Sequence, residues 1–235
     1  MLAISCPSRT LCLAFNEAGR VFVSQNPAAG GRSFHKVRGL DIPTNLGFST
    51  SLQLFNVACP SIHLCLTATQ GTLVYTTNPT GGASAWHRAT LDPSVDNHID
   101  SISCRTAHFC VAIDNNTGGG AIGASGLTFT STNPAGGATA WSAGAPLQNV
   151  NSTGLACFST GFCVAGTDNS VRWISSVTDP TAMWQFIFGS GPGTGSIDSV
   201  ACPSLHLCLA VPTGSGNDFV STNPAAGSWR QTPVA

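Results

Sequence analysis

Charge is scarce in this chain. Asp, Glu, Lys and Arg make up 8% of its 235 residues, against about 25% in an average soluble domain. A disordered chain is charge-rich, so that class is excluded. The net charge is −1 and the basic residues read as scattered, which excludes a nucleic-acid groove with its basic stripe. No apolar run approaches the roughly 18 residues of a membrane span, so no membrane insertion is expected. Glutamate occurs once, as Glu17, and tyrosine once, as Tyr75. No G-x-S-x-G elbow, H-E-x-x-H helix or P-loop stands out, and Gly118-Gly119-Gly120 has no helix-forming stretch after it. No leader precedes the first repeat: Met1-Leu2 run straight into it. The expectation is a fragment from which the leader has been removed.

Cysteine, by contrast, is plentiful and regular. All ten cysteines fall in five copies of one pattern, C-x5-C. The last copy is Cys202-Pro203-Ser204-Leu205-His206-Leu207-Cys208. Apolar, β-prone residues flank each copy, such as Ser101-Ile102-Ser103 before and Val111-Ala112-Ile113 after. Two such runs around a five-residue link with Pro and Ser predict a β-hairpin. The cysteines would then face each other on antiparallel strands, where Cα atoms are about 4.5–5.5 Å apart and within disulfide reach. Zinc is the rival, but its sites favour paired C-x2-4-C knuckles. A uniform C-x5-C favours the disulfides Cys6–Cys12, Cys59–Cys65, Cys104–Cys110, Cys157–Cys163 and Cys202–Cys208. Local pairs of this kind imply an oxidising compartment, so a secreted or cell-surface protein is expected.

From first cysteine to first cysteine the steps are 53, 45, 53 and 45 residues. A period of about 40–50 with several short strands per unit is the signature of a β-propeller. In the third unit the strands are predicted at 101–104, 109–113 and 127–131, with a fourth carrying Trp141. The fourth-strand aromatic recurs as Phe34, Trp86, Trp184 and Trp229. The expected fold is all-β, a single five-bladed β-propeller over 1–235. Its blades are placed at about 1–40, 54–91, 99–145, 152–189 and 197–235, each of four antiparallel strands with one hairpin disulfide. The chain starts in strand one of the first blade and stops in strand four of the fifth. Closure is therefore expected from packing of blade five on blade one, with no shared blade.

The turn from strand three to strand four repeats as Thr132-Asn133-Pro134-Ala135-Gly136-Gly137 and its relatives. Asn before Pro is extended, Pro sets the turn, and the Gly pair allows positive φ. In place and shape this turn resembles the Asp-box of sialidase-like bacterial propellers, which has Ser/Thr, Asp, Gly and Trp there. Asn26, Asn78, Asn133 and Asn223 stand at the acidic position, with Asp179 the one acid. The resemblance implies the fold and not the activity, because the Asp-box is structural. A sialidase would need an arginine triad and a Tyr–Glu pair, which Tyr75 and Glu17 do not supply. In size and blade count the chain is also similar to five-bladed lectins of the tachylectin-2 kind.

Loops joining strands one to two and three to four repeat closely among the units. Those joining two to three, and one blade to the next, vary most at 114–126 and 40–53. Specialisation is expected on the variable side. Asp100 and Asp198 share one repeat position, four residues before a first cysteine, where the other units have Leu2, Phe55 and Thr153. Two carboxylates meeting at a channel mouth could form a glycosidase pair, while the plainer role is capping a strand start. Asp96 and His98 lie beside Asp100, and Asp114 with Asn115 opens the longest loop. These six residues are the candidate ligand-binding set. His63, His108 and His206 recur within the hairpin links and read as turn residues, not as metal ligands. The expected function is recognition of a carbohydrate or other small polar ligand by a monomer without cofactor, metal or nucleic acid. A glycoside hydrolase using Asp100 and Asp198, and a non-catalytic scaffold domain, are the rivals.

Overall fold

The computed structural model describes residues 3–16, 18–42, 56–69, 71–93, 97–116, 126–147, 152–158, 161–168, 170–189, 196–204, 206–213 and 217–233. These form five four-stranded antiparallel sheets, each with its strands in chain order from one edge to the other. The first holds β1 (Ala3–Ser8), β2 (Leu11–Phe15), β3 (Arg20–Ser24) and β4 (His35–Asp41). The second holds β5 (Val57–Ser61), β6 (Leu64–Thr69), β7 (Thr72–Thr76) and β8 (Trp86–Thr90). The third holds β9 (Asn97–Thr106), β10 (Phe109–Asn116), β11 (Thr128–Ser131) and β12 (Ser142–Ala143). The fourth holds β13 (Ser152–Cys157), β14 (Cys163–Thr167), β15 (Ser170–Ile174) and β16 (Gln185–Gly189). The fifth holds β17 (Ile197–Ser204), β18 (Leu207–Pro212), β19 (Asn217–Asn223) and β20 (Ser228–Pro233). The chain falls into two compact units, Met1–Cys110 with Ser131–Trp141, and Val111–Thr130 with Ser142–Ala235.

All five expected disulfides are present, with Cα atoms 4.0–4.2 Å apart, and no cysteine is free. This removes the zinc reading. The hairpin itself is tighter than the predicted five-residue link. In the first, second and fifth sheets the strands continue past the cysteines to Ser8↔Leu11, Ser61↔Leu64 and Ser204↔Leu207. A two-residue turn closes each, and the register shifts just before it, where the Pro sits. Proline has no N–H for a ladder, so a bulge is where a strand tolerates it. The hydroxyl before each turn accepts the N–H two residues on: Ser8 from Thr10 (3.2 Å), Ser61 from His63 (3.2 Å), Thr106 from His108 (3.1 Å) and Ser204 from His206 (3.2 Å). The three histidines are exposed turn residues.

The turn between strands three and four is built on the Ser or Thr that precedes each Asn by two places. Ser24, Thr76 and Ser131 end their third strands, Ser221 lies two residues before the end of its own, and all four are buried. Each hydroxyl oxygen accepts the N–H of the Asn two residues on, at 3.0–3.2 Å. Ser131 and Ser221 also donate across the turn, to the carbonyls of Ala140 and Ser228 at 2.6 Å. The two glycines serve different needs. Gly137 has φ +78°, whereas a Cβ on Gly136 would come within 2.5 Å of the Asn133 amide nitrogen. A short 3-10 turn (Ala138–Ala140) then delivers the aromatic, so Trp141 precedes strand four instead of lying within it. Trp86, Trp141 and Trp184 are buried, and Phe34 and Trp229 are half-buried.

The fourth sheet departs from this plan. Ile174 takes the hydroxyl's place opposite Cys163, where Thr76 faces Cys65 and Ser221 faces Cys208. Asp179 therefore does not sit in register with the four asparagines. It organises a turn of its own, its Oδ1 accepting the Thr181 N–H at 2.8 Å and the Thr181 hydroxyl at 2.7 Å. The hydroxyl bond first, then the backbone bonds from Thr181 and Ala182, hold the Asp179 pKa below the ordinary carboxylate value. A lowered pKa in the folded state favours folding above the ordinary value, and that contribution is lost as pH falls through the lowered one. Carbon-detected NMR titration should find Asp179 below the ordinary carboxylate value, and Thr181→Val should move it part of the way back.

Within each unit the sheets bury their faces against each other. Second strands are apolar at nearly every position, as expected where both faces are covered. Leu11–Phe15 is buried throughout. In the first unit Leu13, Phe15, Val21 and Val37 join Val57, Val74 and Trp86 in one cluster. In the second unit Phe158, Phe162, Val164 and Val171 join Ile197, Val200 and Ala210. Polar ties cross the same sheet–sheet contacts. Ser5 accepts the Cys59 N–H at 3.1 Å, the Arg88 guanidinium donates to the Asp41 carbonyl at 3.0 Å, and the Trp184 indole donates to the Ala145 carbonyl at 3.1 Å.

Candidate functional site

The shared repeat position of Asp100 and Asp198 is best understood through its third polar occupant. Thr153, at the same position in the fourth sheet, donates its hydroxyl to the Ile197 carbonyl of the next sheet. First strands of successive sheets pack on one another within each unit, β1 on β5, β5 on β9 and β13 on β17. A short polar side chain here can therefore tie one first strand to the next. Asp198 is the second residue of β17 and is exposed; Asp100 is half-buried. The strand holding Asp100 begins at Asn97, earlier than predicted, so Asp100 lies inside the strand and not at its start. His98 is buried, 7% exposed, on the same strand. Asp100 and His98 belong to the first unit and Asp198 to the second. Asp96 lies outside the described residues.

Asp114 differs from its expected setting. It does not open a loop. Strand β10 runs on to Asn116, and Asp114 within it is completely buried, its N–H donating to the Leu127 carbonyl at 2.8 Å. Its counterparts, four residues after each second cysteine, explain the position. The Asn16 side chain accepts the N–H groups of Ala18 and Arg20 at 3.1 and 3.0 Å. Thr167 accepts the Ser170 N–H at 2.9 Å. In the first and fourth sheets a polar residue here organises the chain between strand two and strand three. Asn115 lies on β10 beside Asp114; most of the 114–126 and 40–53 loops lies outside the described residues.

The fourth sheet presents a further polar group at this end. Arg172 donates to the Ser170 hydroxyl at 3.3 Å, and burial lowers its pKa while the Asp168 carboxylate opposes that shift.

One cluster escaped the sequence reading. Arg32, Lys36 and Arg38 are three of the nine Lys and Arg residues, and they fall within seven positions together with His35. The stretch Arg32-Ser33-Phe34-His35-Lys36-Val37-Arg38 is a local signal that a whole-chain charge count averages away.

With this geometry in place, comparison with solved structures is informative about fold. The chain is similar to the extracellular domain of a hybrid two-component system from B. thetaiotaomicron, at 15% identity and TM-score 0.62, over 93% of this chain and 26% of that one. It is similar to the GH74 xyloglucanase of Xanthomonas campestris, at 14% identity and TM-score 0.62, over 91% of this chain and 35% of that one. It is also similar to the WD40 β-propeller domain of Doa1, at 9% identity and TM-score 0.61, over 97% of this chain and 67% of that one. The chain thus spans about a quarter to a third of the first two. No protein-family model and no curated protein matches it. The fold is a five-bladed β-propeller of four-stranded antiparallel blades, each with one hairpin disulfide. Propellers of this likeness include an extracellular domain, a glycoside hydrolase and a WD40 domain. Among the described residues no helix is long and apolar enough to cross a membrane.

Proposed function

We propose that this protein is an extracellular ligand-binding propeller that recognises carbohydrate through the loops joining strands two to three and blade to blade. The observation that carries this reading is how the repeated turns use their polar atoms. The hydroxyls of Ser8, Ser61, Ser131 and Ser221 are committed to backbone groups of their own turns. Their repetition is a folding requirement, and recognition falls to the loops that differ. Polar, low-charge loops rich in Asn, Asp, Ser and Thr suit sugar hydroxyls, and a stapled scaffold presents them with little ordering cost. One disulfide in every blade suits an oxidising compartment, and the likeness to an extracellular domain agrees. The Asp-box-like turn and the tachylectin-like size enter as part of this proposal. Asp100, Asp114 and Asp198, with Asp96, His98 and Asn115, are its candidate contacts.

A glycan array with the oxidised protein, followed by a reducing-sugar assay on any hit, tests the reading. Binding without release of reducing ends is the expected result. Asp100→Asn and Asp198→Asn should then shift affinity by less than about tenfold, as loss of single exposed or half-buried polar contacts does. If reducing ends are released and either variant cuts turnover about a hundredfold, the protein is a hydrolase using these carboxylates as acid and base.

A further inference from the structure

A cleft of about 380 Å³ opens in the first unit, between the edge strand β4 of blade one and the turn after β7 in blade two. Its size lies in the range of small-ligand sites. Its lining includes the apolar side chains of Val23 and Val37 from blade one and Pro79 from blade two. His35, Lys36 and Arg38 also line it, and among the described residues no Asp or Glu does. The nearest acid in sequence, Asp41, is already bridged by Lys36 at 3.1 Å, and both side chains remain solvent-accessible. An exposed pair of this kind is weak, so it leaves the ammonium able to turn toward another anion. Among the described residues the Arg38 side chain has no hydrogen-bond or ion-pair partner. Its guanidinium therefore keeps the planar fork that fits a carboxylate or sulfate. The chain as a whole carries −1, so this concentration of positive groups is local and not a consequence of a basic protein.

We propose that this cleft binds a small organic anion: a carboxylate or sulfate ester held by Arg38 and Lys36, on a compact body resting against Val23, Val37 and Pro79. Asn26 and Thr80 also line the cleft; the Asn26 amide, and the Thr80 hydroxyl as an acceptor since it donates to the Asn78 side chain at 3.2 Å, supply hydrogen bonds for a hydroxylated body such as an acidic sugar. The described lining residues belong to the third and fourth strands and the turns between them, not to the loops 40–53 and 114–126, so a failed glycan array and a failed anion titration are separate results.

Calorimetric titration of the oxidised full chain at low ionic strength, with glucuronate, glucose 6-sulfate, cyclohexanecarboxylate and glucose, tests it. Glucuronate or glucose 6-sulfate should bind and glucose should not. Arg38→Ala should weaken binding about tenfold or more, because a charge-assisted bidentate contact is lost. Arg105→Ala, an exposed arginine on the blade-three hairpin, should leave it unchanged. Amide shifts on titration should centre on Val23 and Val37. Cyclohexanecarboxylate binding as tightly as glucuronate keeps the site and assigns it to organic anions in general. A clear preference for glucuronate assigns it to acidic sugars. Equal binding of glucose, no binding of any anion, or an Arg38→Ala variant that melts like the parent and binds as tightly, overturns the proposal.

Discussion

Full reduction of the five disulfides should lower the melting temperature by tens of degrees. Each bridge closes a loop of about seven residues, for which the chain-entropy model gives about 2 kcal/mol. Five of them amount to about 10 kcal/mol on the same model. In a protein of this size each kcal/mol moves the midpoint by about 2–4 °C. Packing adds to the entropic effect. Cys65, Cys110, Cys163 and Cys208 are completely buried. Two thiols occupy more room than a bonded pair, so reduction strains cores that are already full. Scanning calorimetry with and without a phosphine reductant reads the difference, and thiol counting confirms that reduction is complete. A reduced protein melting within a few degrees of the oxidised one would show that sheet packing alone sustains the blades.

Gly71→Ala should be among the most destabilising single changes in the chain, costing about 3 kcal/mol or more. Gly71 occupies the two-residue turn between β6 and β7 with φ +68°. A Cβ there would lie 2.0 Å from the Asp92 carbonyl oxygen, a backbone atom that cannot step aside. The contact is close because the Gly71 carbonyl accepts the N–H groups of Leu91 and Asp92, at 2.8 and 3.0 Å. These bonds draw the chain leaving strand four back onto the turn between strands two and three. Alanine meets both the conformational penalty and the clash, and relief of either breaks the bonds. Urea unfolding of the oxidised variant should show a midpoint well below the parent at unchanged slope. Gly227→Ala is the control. Gly227 is left-handed, with φ +68° and ψ 15°, and nothing lies within 4 Å of an added Cβ, so its loss should be limited to the conformational term, about 1 kcal/mol.

The two glycines separate what is legible in the chain from what is not. Both look alike in the sequence, as glycines in turns between β-prone runs. Their difference lies in which strand passes behind them. The same holds for the carboxylates. Asp100 and Asp198 occupy one repeat position, yet one is half-buried and the other exposed. Asp114 reads as a loop opener because Asn, Thr and Gly follow it, but its strand continues to Asn116 and Asp114 is buried within it. The Ser or Thr two places before the Asn recurs in four units, so its repetition was legible in the sequence. That its hydroxyl is buried and bonded to backbone was not, because a recurring hydroxyl can equally face water.

Short-range pattern determined the strand count, the four-strand repeat and the disulfide pairing, since all three depend on residues within a single hairpin or a single blade. Hydrophobic period, turn chemistry and a six-residue cysteine spacing are enough to specify them. Packing between blades decided the rest: which acids are buried, which hydroxyls bridge one first strand to the next, and where a cleft brings basic residues of blade one beside the turn of blade two. Burial and electrostatic surroundings are set by groups far away in sequence, about fifty residues in the tie from Ser5 to Cys59. A repeat carries no local record of such partners, because each copy of the pattern is compatible with several neighbours.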